Sequence, residues 1–366
     1  MPKGKRSNGR NHGKTTMDPK KKMILFIVIV VLVIAVSGGV LAFKIWKDHQ
    51  NQQGQDETST EPIVVELDEK KEEQAKIFQG NSRPIAFMID NHQDAQPQAG
   101  LNDAYLVYEI IVEGGETRLM ALFKGKDMEK IGPVRSARHY FVDYVMENDA
   151  IYVHYGWSPQ AQSDIGTYRI QNINGIYESD KTFWRVKDKS APHNAVTSTE
   201  KIQEVAQKKG YRMTSTEKSV LHYVTDEVNL ENGQKAEHIT IPYSDFKTTT
   251  YQYDASNKMY TRLIKGQPQV DWTTKKPIQT KNIIITFAKN YPLNDGENKD
   301  RQGLENIGTL KGYYITNGKA IPIQCKKESR NAQTIYQDMN GKEIDVNDGN
   351  TFIQICPIDA KVTVEE

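Results

Sequence analysis

Residues 23–43 read M-I-L-F-I-V-I-V-V-L-V-I-A-V-S-G-G-V-L-A-F, an unbroken run of 21 residues without a charge. As a helix rising about 1.5 Å per residue, such a run crosses a hydrocarbon core of about 30 Å. No other feature constrains the chain so strongly, because a transmembrane helix assigns everything after it to one side of a membrane. The preceding residues carry Lys3, Lys5, Arg6, Arg10, Lys14, Lys20, Lys21 and Lys22 against the single acid Asp18. That asymmetry holds a basic tail (1–22) in the cytoplasm. The expected topology is a single-pass plasma-membrane signal anchor with its N-terminus cytoplasmic and the rest extracellular. A cleaved signal peptide ending near Val40 and Ala42 is the rival reading, although the run exceeds the roughly 7 to 15 residues of a signal core. No cysteine stands near its end to carry a diacylglycerol.

The tail holds eight of the 48 basic residues and one of the 47 acidic ones, so the remaining chain has an excess of acids. A mildly acidic exterior lacks the basic face that nucleic acid or anionic lipid requires, and no nucleic-acid partner is expected. From 44 to 80 the sequence is rich in Gln, Glu, Asp and Lys and poor in large apolar residues. It cannot bury enough surface to offset its ordering entropy and reads as a polar stalk.

Strand-length apolar runs at 85–89, 105–112 and 118–123 follow, the last two joined by Gly114-Gly115 as a hairpin. A helix is expected from Pro133 to about residue 146, then a strand at 150–155 that points Tyr152 and His154 to one face. Ser158-Pro159 reads as a helix cap with proline in the first turn. Thr197 and Glu200 have capping-box spacing ahead of a helix at 198–208, with Gly210 as its stop. After Glu237 the texture changes to recurrent strands with Asn317-Gly318, Asn340-Gly341 and Asp348-Gly349 between them, dipeptides of tight hairpins. The expected fold class is α+β: a mixed α/β first domain (81–230) and a mostly antiparallel β second domain (231–366), behind the transmembrane helix (23–43). The two cysteines, Cys325 and Cys356, fall in strands of an exported chain. A bridge needs Cα atoms within about 7 Å; two buried free thiols are the alternative.

The segment G-P-V-R-S-A-R-H, from Gly132 to His139, points most directly to a site. With Pro133 opening a helix, Arg135, Arg138 and His139 project from one face near its N-terminus. Cations there oppose the macrodipole by about 0.3 to 1 kcal/mol each, a placement that makes sense when an anion sits among them. Arg118, Arg135 and Arg138, with Glu109, Glu113 and Glu116 nearby in sequence, make a charged set at strand ends and turns. Arginine forks bind phosphate or carboxylate through paired hydrogen bonds, whereas a buried Arg–Glu network is the purely architectural alternative. His139, His154 and His193 offer acid–base groups. None has the spacing of a metal motif, so no metal and no cofactor are expected. Ser136 lacks the elbow of a serine hydrolase. Tyr152, Tyr155, Trp157 and Trp184 read either as sugar-stacking platforms or as core.

Taken together, R-P-I-A-F-M-I from Arg83, P-Q-A-G-L from Pro97, V-Y-E from Val107, V-E-G-G-E-T-R from Val112, G-P-V-R-S-A-R from Gly132, A-I-Y-V-H from Ala150 and P-H-N from Pro192 resemble the YerB-like family of bacterial cell-surface lipoproteins. The likeness covers most of 81–230. It is looser beyond, resting on Tyr253-Asp254, Y-T-R-L from Tyr260 and the D-x-x-G pattern from Asp338. It departs at the anchor, where the family carries a lipid-attachment cysteine, and in the late hairpin, where Gln324-Cys325 stand in place of tryptophan. The resemblance implies a two-part fold and a cell-envelope location, and transfers no catalytic assignment.

The expected function is binding of an anionic wall component, or an envelope partner, in a cleft lined by Arg118, Arg135, Arg138, His139 and Asn194. The alternative is a wall-polymer hydrolase or transferase with Glu113 or His154 as base and His193 as acid. The membrane, through 23–43, is the one partner that the sequence itself implies.

Overall fold

The apolar run at 85–89 is buried on both sides: Ala86 and Met88 enter one core while Ile85, Phe87 and Ile89 enter another. A strand with no solvent face must lie inside a layered structure. In the computed structural model, which describes residues 80–297 and 299–366, this strand belongs to a twelve-stranded mixed sheet. The tail, the 23–43 run and the stalk up to residue 79 lie outside the described residues. Among the described residues no helix is long and apolar enough to cross a membrane.

The first half supplies β1 (Ile85–Asp90), β2 (Leu106–Ile111), β3 (Thr117–Phe123), β4 (Ile151–His154) and β5 (Asn172–Asn174). The second half supplies β6 (His238–Pro242), β7 (Thr248–Asp254), β8 (Met259–Ile264), β9 (Asn282–Pro292), β10 (Gly308–Thr316), β11 (Lys319–Lys327), β12 (Ile335–Gln337) and β13 (Thr351–Pro357). Ten strands of the large sheet run β12-β11-β10-β9-β13-β2-β3-β1-β4-β5, and two short ones pair off this path with β9 and β11. Its middle is a parallel seam, with β13 lying between β9 and β2, so the two sequence halves share one sheet. A second, wholly antiparallel sheet is built around β6, β7 and β8.

Helices α1 (His139–Glu147) and α2 (Pro159–Thr167) cover one face of the large sheet, burying Tyr140, Phe141, Tyr144 and Ile165 against Met88, Tyr108 and Tyr152. Helix α3 (Thr199–Lys208) and the second sheet cover the other, where Ile202, Ile241 and Tyr251 meet Phe87, Val107 and Phe352. Ser158 caps α2 by accepting from the Ala161 amide at 3.2 Å, with Pro159 in its first turn. The β10–β11 hairpin turns at Asn317-Gly318, whose φ values of 51° and 74° match a two-residue primed turn.

Two expectations are corrected, and the alternative left open for the cysteines is decided. Helix α1 begins at His139 rather than at Pro133. The Gly132–Pro133 peptide bond is cis, and residues 133–135 run extended beside β1: Asp90 donates to Pro133 O at 2.8 Å and Arg135 to Met88 O at 2.9 Å. Val134 also donates to Ala195 O at 2.7 Å. Neighbouring chain segments take the backbone groups that a helix would have used, so Arg135, Arg138 and His139 do not share a helix face. At α3 the cap is Ser198, accepting from Lys201 N at 3.2 Å, one residue later than the Thr197 spacing suggests. The cysteines are free thiols. Cys325 packs in the core under α1 and Cys356 in the core facing the second sheet, so the large sheet stands between them.

The two sheets are joined by buried charge. Arg262 on β8 donates to both carboxylate oxygens of Glu109 on β2, at 2.7 and 3.2 Å. Asn91, Thr117 and Thr249 add donors at 3.1, 2.8 and 3.1 Å to the same carboxylate. Burial would push the Glu109 carboxyl up, but the Arg262 guanidinium holds it below the ordinary carboxylate range. Gln269 accepts from Arg262 Nε at 2.6 Å and donates to Gln98 at 2.6 Å, so the network continues to the end of β1.

Candidate functional site: a charged cleft at the carboxyl ends of β1 and β2

Strand alternation places Asp90, the last residue of β1, directly across from Arg118 on β3. Beside them β2 ends at Ile111, and Glu113–Gly115 forms a tight turn into β3 with Gly114 and Gly115 at φ 63° and 69°. Gly115 is also tightly placed, since a Cβ there would stand 3.0 Å from Phe246 and from Ser244 and push on their side chains. Asp300 accepts from Gly114 N at 3.0 Å and pins the turn from outside. These strand ends form the floor of an open cleft of about 310 Å³ lined by Asp90, His92, Glu113, Arg118, Arg135, Arg138, His193 and Arg301 among others. Open sheets with parallel strands commonly bind ligands at the strands' carboxyl ends.

The guanidiniums are held differently. Arg118 is buried and donates to Ser136 O at 2.6 Å. Burial, with Arg138 nearby, pulls its pKa down to about 10 against the opposing pull of Glu113 and Asp90. Arg138, at the N-cap of α1, pairs through Nε with Glu113 and donates through Nη1 to Ala137 O at 2.7 Å. Burial pushes the Glu113 carboxyl up, but Arg138 and Arg118 together hold it below its ordinary value. Arg135 Nε lies 3.0 Å from Asp90 Oδ2, yet its N–H is not aimed at that oxygen and the buried nitrogen has no hydrogen-bond partner. Arg301 is neutralised by Asp295 and Glu297 and stands 3.9 Å from Glu113.

Asp90 Oδ2 also meets His193 Nδ1 at 2.7 Å, and the His193 ring stacks on His92 with centroids 4.5 Å apart and planes 17° from parallel. His193 is presented by a loop that Asn194 fastens: its amide accepts from Arg185 at 2.6 Å and donates to Val186 O and Lys189 O at 3.1 Å.

Of the residues expected at the site, Glu113, Arg118, Arg135, Arg138 and His193 line the cleft. His154 does not. It is fully buried on β4, with Nδ1 2.8 Å from Gly156 O and Nε2 3.2 Å from Asn172 Oδ1, and burial lowers its pKa to about 4. An imidazole closed in this way is part of the core and cannot meet a substrate. His139 sits on α1 outside the cleft lining, its pKa also lowered by burial to about 4, and Asn194 acts on the loop rather than in the cleft. Tyr152 is core. Sequence reasoning missed Asp90, His92 and Arg301, and named Glu116 only as one of the charged set around the arginines. The polar run Asp90-Asn91-His92-Gln93-Asp94 after a strand buried on both faces was the available signal for the first two.

Two family models match the chain, both described as protein of unknown function (DUF3048): an N-terminal domain over residues 55–212 and a C-terminal domain over 239–353. A Bacillus subtilis (strain 168) protein described as a lipoprotein, YerB, is 32% identical over 286 residues, covering 75% of this chain and 81% of the relative. The crystal structure of YerB from Bacillus subtilis superposes with a TM-score of 0.68 at 30% identity, covering 77% of this chain and 94% of that one. These matches extend through both halves of the shared sheet, and the chain belongs to the YerB-like, DUF3048 family.

Proposed function

We propose that this chain is a membrane-tethered protein of the cell envelope that holds an oxyanion of a wall component, a phosphate or a stem-peptide carboxylate, in the arginine-lined cleft. The apolar run 23–43 and the basic tail before it supply the tether, and the lipoprotein description of the Bacillus relative accords with the same compartment. The observation that carries the ligand class is Arg135: a guanidinium at an open cleft whose buried Nε finds no aligned acceptor. Arg138 and Arg135 both disfavour the charge on Arg118, and an oxyanion accepting from the exposed edges of these guanidiniums relieves that repulsion. Arg118 and Arg138 flank the same space, while each carboxylate there is already engaged.

One observation favours a second reading, hydrolysis or transfer on a wall polymer. Asp90 holds His193 through Nδ1, the arrangement by which a carboxylate orients an imidazole for proton transfer, and Glu113 faces the same cleft. Both readings are tested by incubating the detergent-solubilised full-length chain with isolated cell wall and measuring sedimented protein and soluble product. Binding that Arg135→Gln abolishes, without product release, supports the binding reading. Product release that His193→Gln abolishes supports the enzyme, and neither binding nor release defeats both.

A further inference from the structure

The rim of the cleft carries a second constellation with its own chemistry. We propose that His92, Asp94 and His193 form a divalent-cation site, with Asp90 as the residue that orients it. The three side chains each offer a ligand atom, and these atoms lie within 4.8 Å of one another. His92 Nδ1 and Asp94 Oδ2 are 3.5 Å apart. Two ligands bonded at about 2.0 to 2.2 Å to one tetrahedral ion stand at about that separation, so this pair is spaced to share an ion.

The third ligand comes from a loop a hundred residues away and is held for the purpose. Asp90 Oδ2 engages His193 Nδ1 at 2.7 Å and leaves Nε2 as the ligating nitrogen. A carboxylate behind a histidine in this way fixes its tautomer and ring orientation, as in the outer shell of zinc sites. The ligand separations and the near-parallel stack of the two rings describe an open arrangement. Closing on an ion turns His92 and His193 out of that stack and replaces the 3.2 Å bond by which His92 Nδ1 accepts from the Asp94 amide. Two imidazoles and a carboxylate suit zinc and its first-row neighbours rather than calcium or magnesium. Asp94 is exposed and His92 partly so, which leaves an entry path and room for water or a ligand oxygen in the remaining coordination positions.

The proposal is independent of anion binding, because none of its ligands is an arginine partner except through Asp90. The test is titration of the full-length chain in detergent with Co2+, reading the visible absorption of tetrahedral nitrogen and oxygen ligation, followed by competition with Zn2+. We expect one equivalent bound, displaced by Zn2+, with affinity weakened at least tenfold in His92→Ala and in His193→Gln, and about tenfold in Asp90→Asn as a displaced outer-shell carboxylate. Arg135→Gln should keep the cobalt spectrum, which separates this site from the anion cleft. The partly exposed His92 makes His92→Ala the variant least able to disturb folding, and circular dichroism confirms that each variant is native. Absence of a stoichiometric cobalt spectrum in the wild-type chain overturns the proposal, as does an unchanged affinity in His92→Ala.

Discussion

Two charged clusters lie a few residues apart in sequence and behave in opposite ways. Glu109, inside β2, is sealed between the sheets with Arg262, and its carboxylate accepts from Arg262, Asn91, Thr117 and Thr249. Glu113, just past the end of the same strand, faces an open cleft where Arg118, Arg135 and Arg138 converge and one buried guanidinium nitrogen is left without an acceptor. The difference teaches how to separate architecture from site. A charge satisfied on every side holds sheets together, whereas under the proposed reading a guanidinium without an aligned acceptor at a cleft is one that an arriving anion would engage.

The sharpest way to break this comparison is to remove one member of the sealed pair. Arg262→Met leaves the Glu109 carboxylate buried and uncompensated, and should cost about 3 to 5 kcal/mol in denaturant unfolding. A loss under about 1 kcal/mol would show that the network contributes little. Glu109 also sets a pH limit. Its folded pKa is depressed, so its stabilisation is present above the unfolded carboxylate value and is lost as pH falls through the lower folded one.

A second pH effect comes from His154 and His139, whose pKa values burial lowers to about 4. Between an unfolded value of about 6.5 and that folded value, the unfolded chain binds more protons. Stability should therefore fall as pH drops through this window, and remain level above it with respect to these groups. His154→Phe should reduce the slope in unfolding measured from pH 7 to 4; an unchanged slope would remove His154 from this account.

In the cleft the order of effects inverts. Arg118→Met should cost about 1 to 3 kcal/mol, since its buried bond to Ser136 O is lost along with its charge. Arg135→Gln, at a half-open ion pair, should shift stability by under about 1 kcal/mol while abolishing wall binding. A large stability loss with intact binding would place Arg135 in the same class as Arg262.

Much of this was legible in sequence because it was local. The apolar run of β1, the Gly114-Gly115 turn, the Ser158-Pro159 cap and the Asn317-Gly318 hairpin each carry their instruction within a few residues. What could not be read was set by pairing across distance. Pro133 reads as a helix start until β1 and Ala195 claim the neighbouring backbone groups. The parallel seam at β13 has no signature in either half, and Asp90, His92 and His193 share no spacing because about a hundred residues separate the two loops that bring them together.

The central claim, that the cleft is completed by a bound oxyanion, is tested most directly by the affinity of the full-length chain for isolated wall polymer across a range of salt, in wild type and in the stably folded Arg135→Gln/Arg138→Gln double variant. The account predicts at least tenfold weaker binding in the variant and a flatter dependence on salt. Equal affinity and equal salt dependence in the two proteins would contradict it.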